Sequence, residues 1–176
     1  MKLADQLREA LAAFADLQTP PALIGGLALA AHRVIRATRD IDFLVDARDA
    51  DRLHALLLAL GYECAHRSED AANYLRASDG LDVLYAHRPE AIRLLADAET
   101  RETGLGTLRV IDAEGLIAFK LQALTNDPSR ARDGDDILAL LRNNAGRLDM
   151  NRVRRYFELF GRADWLDELL VQAARG

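Results

Sequence analysis

The chain has 176 residues, half of them apolar, a formal net charge of −5 and one cysteine, Cys64. This length suits one domain, or one domain with an appended helical part, whose core needs neither disulfides nor a structural metal. The acidic balance excludes a general attraction to nucleic acid or membrane, the lone cysteine excludes an internal disulfide, and no apolar run approaches the roughly 20 residues of a membrane span. Asp5 and Glu9 fall inside a helical pattern at the N-terminus, so a secretory leader is not expected and a reduced, cytoplasmic location is.

Residues 2–18 carry Leu3, Leu7, Ala10, Leu11 and Phe14 at helical spacing, stopped by Pro20-Pro21. A short apolar run, Ala22-Leu23-Ile24, enters Gly25-Gly26 and a small-residue helix over 27–32. Asp40–Val45 reads as a strand, and residues 48–60 as a Leu-rich amphipathic helix ending at Gly61. Strands are expected at Tyr62–His66, Asn73–Ala77 and Leu81–Tyr85, with Ser78-Asp79-Gly80 turning between the last two. A helix near 88–96 and a strand near Leu108–Ile111 follow, then helices at 113–125, 129–142, 149–160 and 163–174. Gly104-Leu105-Gly106 reads as a turn. The pattern predicts an α+β fold: a mixed sheet flanked by helices over residues 1–111, and an all-helical region over 112–176 packed on it without a flexible linker.

Chemistry concentrates between residues 23 and 45. Side chains alternate along a strand, so Asp40 and Asp42 project from one face while Ile41 and Phe43 face the core. Two carboxylates so close repel unless a cation neutralises them, and a hard divalent ion bound through oxygen is the economical solution. An acidic strand end ion-paired to Arg36 or Arg39 is the simpler alternative. Gly25-Gly26, between a strand and a helix start, lets an anion approach backbone N–H groups closely. A phosphate cradle some fourteen residues before a D-x-D strand is a far more specific signal than either motif alone. A third carboxylate, Asp82, lies opposite the apolar face of Leu81, Val83 and Tyr85. If its strand pairs beside 40–45, Asp82 joins Asp40 and Asp42 around a metal pair.

The order Gly25-Gly26, then Arg36-Ala37-Thr38-Arg39-Asp40-Ile41-Asp42, then Asp82 resembles the nucleotidyltransferases of the DNA polymerase β superfamily. Leu116–Lys120 followed by Arg130-Ala131-Arg132-Asp133-Gly134-Asp135-Asp136 is similar to a helical signature of its minimal abortive-infection and toxin–antitoxin (type IV toxin-like) branch. The resemblance covers roughly residues 22–141. It implies the nucleotidyltransferase fold and transfer of NMP from NTP to a hydroxyl of an RNA (such as tRNA), protein or small-molecule acceptor, with Mg²⁺ or Mn²⁺ as cofactor. It further implies a toxin role with an antitoxin partner. By the same resemblance, Gly25 and Gly26 cradle the triphosphate, Asp40, Asp42 and Asp82 hold metal, and Asp82 helps activate the attacking hydroxyl. Arg36, Thr38, Lys120 and Asp133 would complete nucleotide binding, with Lys120 also among the catalytic groups.

The sequence departs from the pattern in places. Many superfamily members have Gly-Ser, whose hydroxyl also contacts phosphate, where this chain has Gly25-Gly26. Arg132 stands where lysine is usual, and Gly134-Asp135 replaces a more helix-favouring pair. These departures motivate an alternative function: a catalytically weak nucleotidyltransferase-like module that binds nucleotide or a partner. Lys120 lies on or beside the apolar face of its helix, and Asp133 and Asp136 share a face with Ile137 and Leu140, so a buried ion pair joining two helices is an equal reading of Lys120. The arginines at 147, 152, 154, 155 and 162 read as a solvated helix face sooner than as an RNA patch.

Overall fold

The computed structural model describes residues 2–175. They form an α+β fold with a seven-stranded mixed sheet and eight α-helices. The chain divides into two compact units. One comprises the chain up to Ala28 together with Ala37–Ile111; the other comprises Leu29–Arg36 together with the chain from Asp112 onward.

The sheet unit begins with α1 (Leu3–Ala13), which tightens into a 3-10 turn at Phe14–Asp16. The helix expected to 18 stops there for a visible reason: the Asp49 carboxylate accepts from the amides of Gln18 and Thr19, at 3.1 and 3.0 Å, and holds that segment extended. Strand β1 (Ala22–Leu23) leads into helix α2 (Gly25–Ala31). Strand β2 (Ile41–Asp46), helix α3 (Ala50–Ala59), strands β3 (Glu63–Arg67), β4 (Ala71–Arg76) and β5 (Asp79–Ala86), and helix α4 (Pro89–Ala96) follow. The unit closes with a hairpin of β6 (Glu99–Thr103) and β7 (Gly106–Val110).

The spatial order is β3-β4-β5-β2-β1-β7-β6. Two neighbouring pairs, β2/β5 and β1/β7, are parallel and the rest antiparallel. One sheet face is apolar. Ile41, Phe43 and Val45 are fully buried on it, with Tyr74 from β4 in the same row as Leu81 and Ile41. Phe14 packs edge-on against Phe43 with ring centroids 5.2 Å apart, and His54 of α3 meets the Tyr74 hydroxyl at 3.0 Å. Helix α3 and the turn after α1 therefore cover this face, and Asp42 of β2 and Asp82 of β5 point from the other.

Two local readings change. The β4–β5 connection is a two-residue turn at Ala77-Ser78, with Ala77 at φ +54°, because Arg76 pairs with Asp79 in the ladder. Strand β6 was not expected: its Glu-Thr-Arg-Glu-Thr sequence is a polar, exposed edge with no apolar alternation to announce it.

The helical unit contains α5 (Ala113–Asn126), α6 (Ala131–Asn143), α7 (Met150–Leu159) and α8 (Ala163–Ala174). Helix α6 starts at 131 instead of 129 because Asp127 captures the amide and hydroxyl of Ser129, at 3.0 and 2.6 Å, in a turn. Residues 29–36 belong to this unit. Asn143 and Asn144 donate to the carbonyls of Arg33 and His32, at 2.8 and 3.0 Å. Among the described residues no helix is long and apolar enough to cross a membrane.

Candidate active site

The acidic face of the sheet unit is built by register. Strands β2 and β5 run parallel with Asp42 directly opposite Asp82, and β5 and β4 pair with Asp82 opposite Asn73. Residues in register on adjacent strands point to the same side, about 4.8 Å apart along the hydrogen-bonding direction. Asp42, Asp82 and Asn73 thus form one row across three strands. Asn73 donates from Nδ2 to Oδ1 of Asp82 at 2.7 Å.

Glycines make room for the acidic groups. Gly25 has φ +61°, the left-handed region that L side chains avoid, and a Cβ there would meet Asp42 Oδ2 at 2.0 Å. Gly80 in β5 leaves the space that Asp40 uses; a Cβ on it would lie 2.6 Å from Asp40 Oδ1. A Cβ on Gly26 would meet Thr38 Oγ1 at 2.6 Å, so Thr38 stands beside the glycine turn, its hydroxyl directed to the Asp40 carbonyl at 3.3 Å. The ladder extends past β1 through the amide of Ile24, which donates to the Asp42 carbonyl at 3.0 Å and ties the glycine turn to the aspartate strand.

The structure therefore brings together Gly25, Gly26, Thr38, Asp40, Asp42 and Asp82. As carboxylate oxygens on one face, the three aspartates suit a hard divalent cation, and the small residues at 25 and 80 keep space beside them. They do not converge into a closed cage: among the described residues no three His, Cys, Asp or Glu side chains are gathered as a ready-made metal site. Like charges at this spacing repel.

Lys120, Asp133 and Arg36 lie in the helical unit, in a buried charge network. Lys120 Nζ is 2.9 Å from Asp133 Oδ1 and 2.6 Å from Asp136 Oδ2, with its side chain only 8% exposed. Arg130 pairs with Asp133 at 2.6 Å and Arg36 with Asp136 at 3.1 Å. The network joins α5 to α6 and to the 29–36 segment. Burial alone would raise the Asp133 carboxyl, but hydrogen bonds from Arg130 and Lys120 outweigh it and hold the group below its ordinary range.

Most of the arginine run is committed to local partners. Arg152 pairs with Asp112, Arg154 with Asp167 at 3.1 Å, and Arg162 lies over the Trp165 ring. One member of these constellations was not singled out in the sequence: Asn73 carried only a weak signal, an amide at the start of a predicted strand. Arg130 stood in the helical signature, inside the helix expected over 129–142, with no partner assigned to it.

A mixed sheet with in-register aspartates on adjacent parallel strands, bordered by a glycine turn, is the frame of a nucleotidyltransferase. Residues 1–175 match the family described as uncharacterised nucleotidyltransferase, and the chain belongs to that family, an enzyme of the nucleotidyltransferase class. No curated protein sequence matches the chain. Solved structures share its fold. The crystal structure of ANT(2'')-Ia in complex with adenylyl-2''-tobramycin aligns with a TM-score of 0.70 at 16% identity, over 92% of this chain and 98% of that one. The lincomycin-bound lincosamide antibiotic adenylyltransferase LnuA aligns with a TM-score of 0.58 at 16% identity, over 77% and 94%. An antigenic nucleotidyltransferase-like protein from Paracoccidioides brasiliensis aligns with a TM-score of 0.54 at 20% identity, over 94% and 91%. At these identities the likeness is one of fold.

Proposed function

We propose that the enzyme transfers a nucleoside monophosphate from an NTP to a hydroxyl of a small-molecule acceptor, releasing pyrophosphate. The observation that carries this reading is the in-register pair Asp42–Asp82, with Asp40 on the same face and Gly25 against Asp42, in a chain of the nucleotidyltransferase family. The small-molecule acceptor is supported by two neighbours of the same fold. One was solved with an adenylylated aminoglycoside, tobramycin, and the other with the antibiotic lincomycin bound.

Asp40, Asp42 and Asp82 would hold the divalent cations, Mg²⁺ or Mn²⁺, that nucleotidyltransferases generally use. Such ions, when bound, shield the triphosphate charge and lower the pKa of the attacking hydroxyl. The protein's own groups do the rest. Backbone N–H groups of the glycine turn, Gly25 and Gly26, donate to phosphate oxygens, while the missing side chains let Asp42 and Thr38 pack against the turn. Asp82 accepts the hydroxyl proton as the oxygen bonds to the α-phosphorus and the bond to pyrophosphate breaks. Lys120, Asp133 and Arg36 pair with acidic or basic neighbours of their own unit, which supports a role in fixing α5, α6 and the segment leading to Thr38.

The test is a screen of the four labelled NTPs against aminoglycosides, lincosamides and other polyols, total tRNA and the protein itself. Labelled small molecule with stoichiometric pyrophosphate supports the proposal. Label on tRNA or protein alone would replace the acceptor by a macromolecule and revive the toxin reading. Tight NTP binding without pyrophosphate release would make the chain a binding module.

A further inference from the structure

We infer that Asn73 is a positioning residue of the active site, holding Asp82 in the orientation its role requires. The inference rests on the function proposed above. Asn73 is the third member of the row Asp42–Asp82–Asn73, and its Nδ2 lies 2.7 Å from Asp82 Oδ1. A carboxylate can only accept, so the amide nitrogen must face Asp82, and the orientation of the amide is dictated by its partner.

Three features set this contact apart from an ordinary surface hydrogen bond. Asparagine is depleted in strand interiors, yet here it occupies the middle of β4, between the buried Ala72 and Tyr74. The β3–β4 ladder shifts register between Cys64 and His66, where His66 pairs with Asn73. The extra residue, Ala65, lies in β3, and β4 keeps unbroken register with β5, so Asn73 stays opposite Asp82 across the irregularity. The bond also fixes one specific oxygen: Oδ1 is held on the β4 side, which directs Oδ2 toward the β2 side, where Asp42 lies. Without that anchor, two adjacent carboxylates would rotate apart under their own repulsion. Asn73 therefore holds Asp82 beside Asp42 without adding charge to the row.

Removing the donor while keeping the Cγ-branched shape of the side chain tests this. Two readouts are taken on the full chain: Mn²⁺ affinity of the nucleotide-free protein by electron paramagnetic resonance, and kcat with the NTP and acceptor found in the screen. Asn73→Leu should lose about 10–100-fold in Mn²⁺ affinity and in kcat, the usual consequence of losing an outer hydrogen bond to a ligating group. The KM for NTP should stay close to wild type. Asn73→His, whose Nδ1–H reaches the same point as the asparagine Nδ2, should recover most of both losses. If Asn73→Leu does not fold, Asn73→Ala is read with the same expectations. Wild-type Mn²⁺ affinity and kcat in the donor-less variant, alongside an inactive Asp82→Asn, overturns the role of Asn73 and leaves the proposed function standing. Unchanged Mn²⁺ affinity and kcat in Asp82→Asn as well overturns both.

Discussion

A methyl group on Gly25 would lie 2.0 Å from Oδ2 of Asp42 and 2.4 Å from its carboxyl carbon. No side-chain flexibility at residue 25 relieves that approach, because the clash is at Cβ itself, and φ +61° already disfavours any L side chain. The glycine turn and the first strand aspartate are thus one steric unit. Gly25→Ala should lose about 1–2 kcal/mol from backbone conformation alone and displace the Asp42 carboxylate as well. Denaturant unfolding reads the first effect. Transfer activity reads the second, and it should fall by more than stability explains.

Gly26 is constrained differently. Its neighbour is the Thr38 hydroxyl, 2.6 Å from where a Cβ would sit. A serine at 26, common in the wider superfamily, does not fit while threonine stands at 38. Gly26→Ser should therefore destabilise and impair the enzyme, and adding Thr38→Gly, which removes both the hydroxyl and the Cβ that lies 2.7 Å from the same point, should recover much of the loss. A double-mutant cycle on stability and kcat/KM checks this, and strict additivity would refute the steric account.

The acidic face was legible in the sequence where its logic was local. Alternation put Asp40 and Asp42 on one side, and Leu81, Val83 and Tyr85 left Asp82 on the other side of its own strand. That β5 would lie parallel to β2 with Asp82 opposite Asp42 is a pairing choice made by the whole sheet. Asn73 was opaque for the same reason: its meaning comes from a partner nine residues away across a turn whose position was itself misread. The pairing of Arg36 with Asp136 spans a hundred residues, and nothing local announces it. Lys120 was legible as a lysine on an apolar helix face, and its partners among Asp133 and Asp136 follow from one further helix sharing that core.

Lys120 neutralises two buried carboxylates, and removing it leaves Asp133 to Arg130 and Asp136 to Arg36. Breaking a buried pair from one side costs about 3–5 kcal/mol. Lys120→Met, which keeps the stem volume, should fall at the lower end of that range because each carboxylate retains one cation. Equilibrium urea unfolding at pH 7 measures it. A change below experimental error would mean the network contributes nothing to folding.

Asp133 gives the same network a pH signature. Its carboxyl is held below the ordinary value of 3.8, so the folded state favours the charged form. The stabilisation is complete above the unfolded value and is lost as pH falls through the lower folded value. Asp133→Asn should be less stable than wild type at pH 7 and pH 5. The gap should narrow below about pH 4, where the unfolded-state carboxyl is protonated. Unfolding midpoints at pH 7, 5, 4 and 3 check the sign, and a gap that widens on acidification would reverse it.

The central claim is that the aspartate row of β2 and β5 carries out nucleotidyl transfer, and Asp42→Asn tests it most directly. The variant keeps the size of the side chain against Gly25 while removing its charge. Pyrophosphate release and acceptor labelling are measured for both proteins at saturating NTP and Mg²⁺, with unfolding midpoints as a control for folding. The account predicts transfer by the wild type and a loss of about 10³-fold in Asp42→Asn, corresponding to the several kcal/mol that charge-neutralising metal coordination supplies. Transfer by a folded Asp42→Asn protein at the wild-type rate would contradict it.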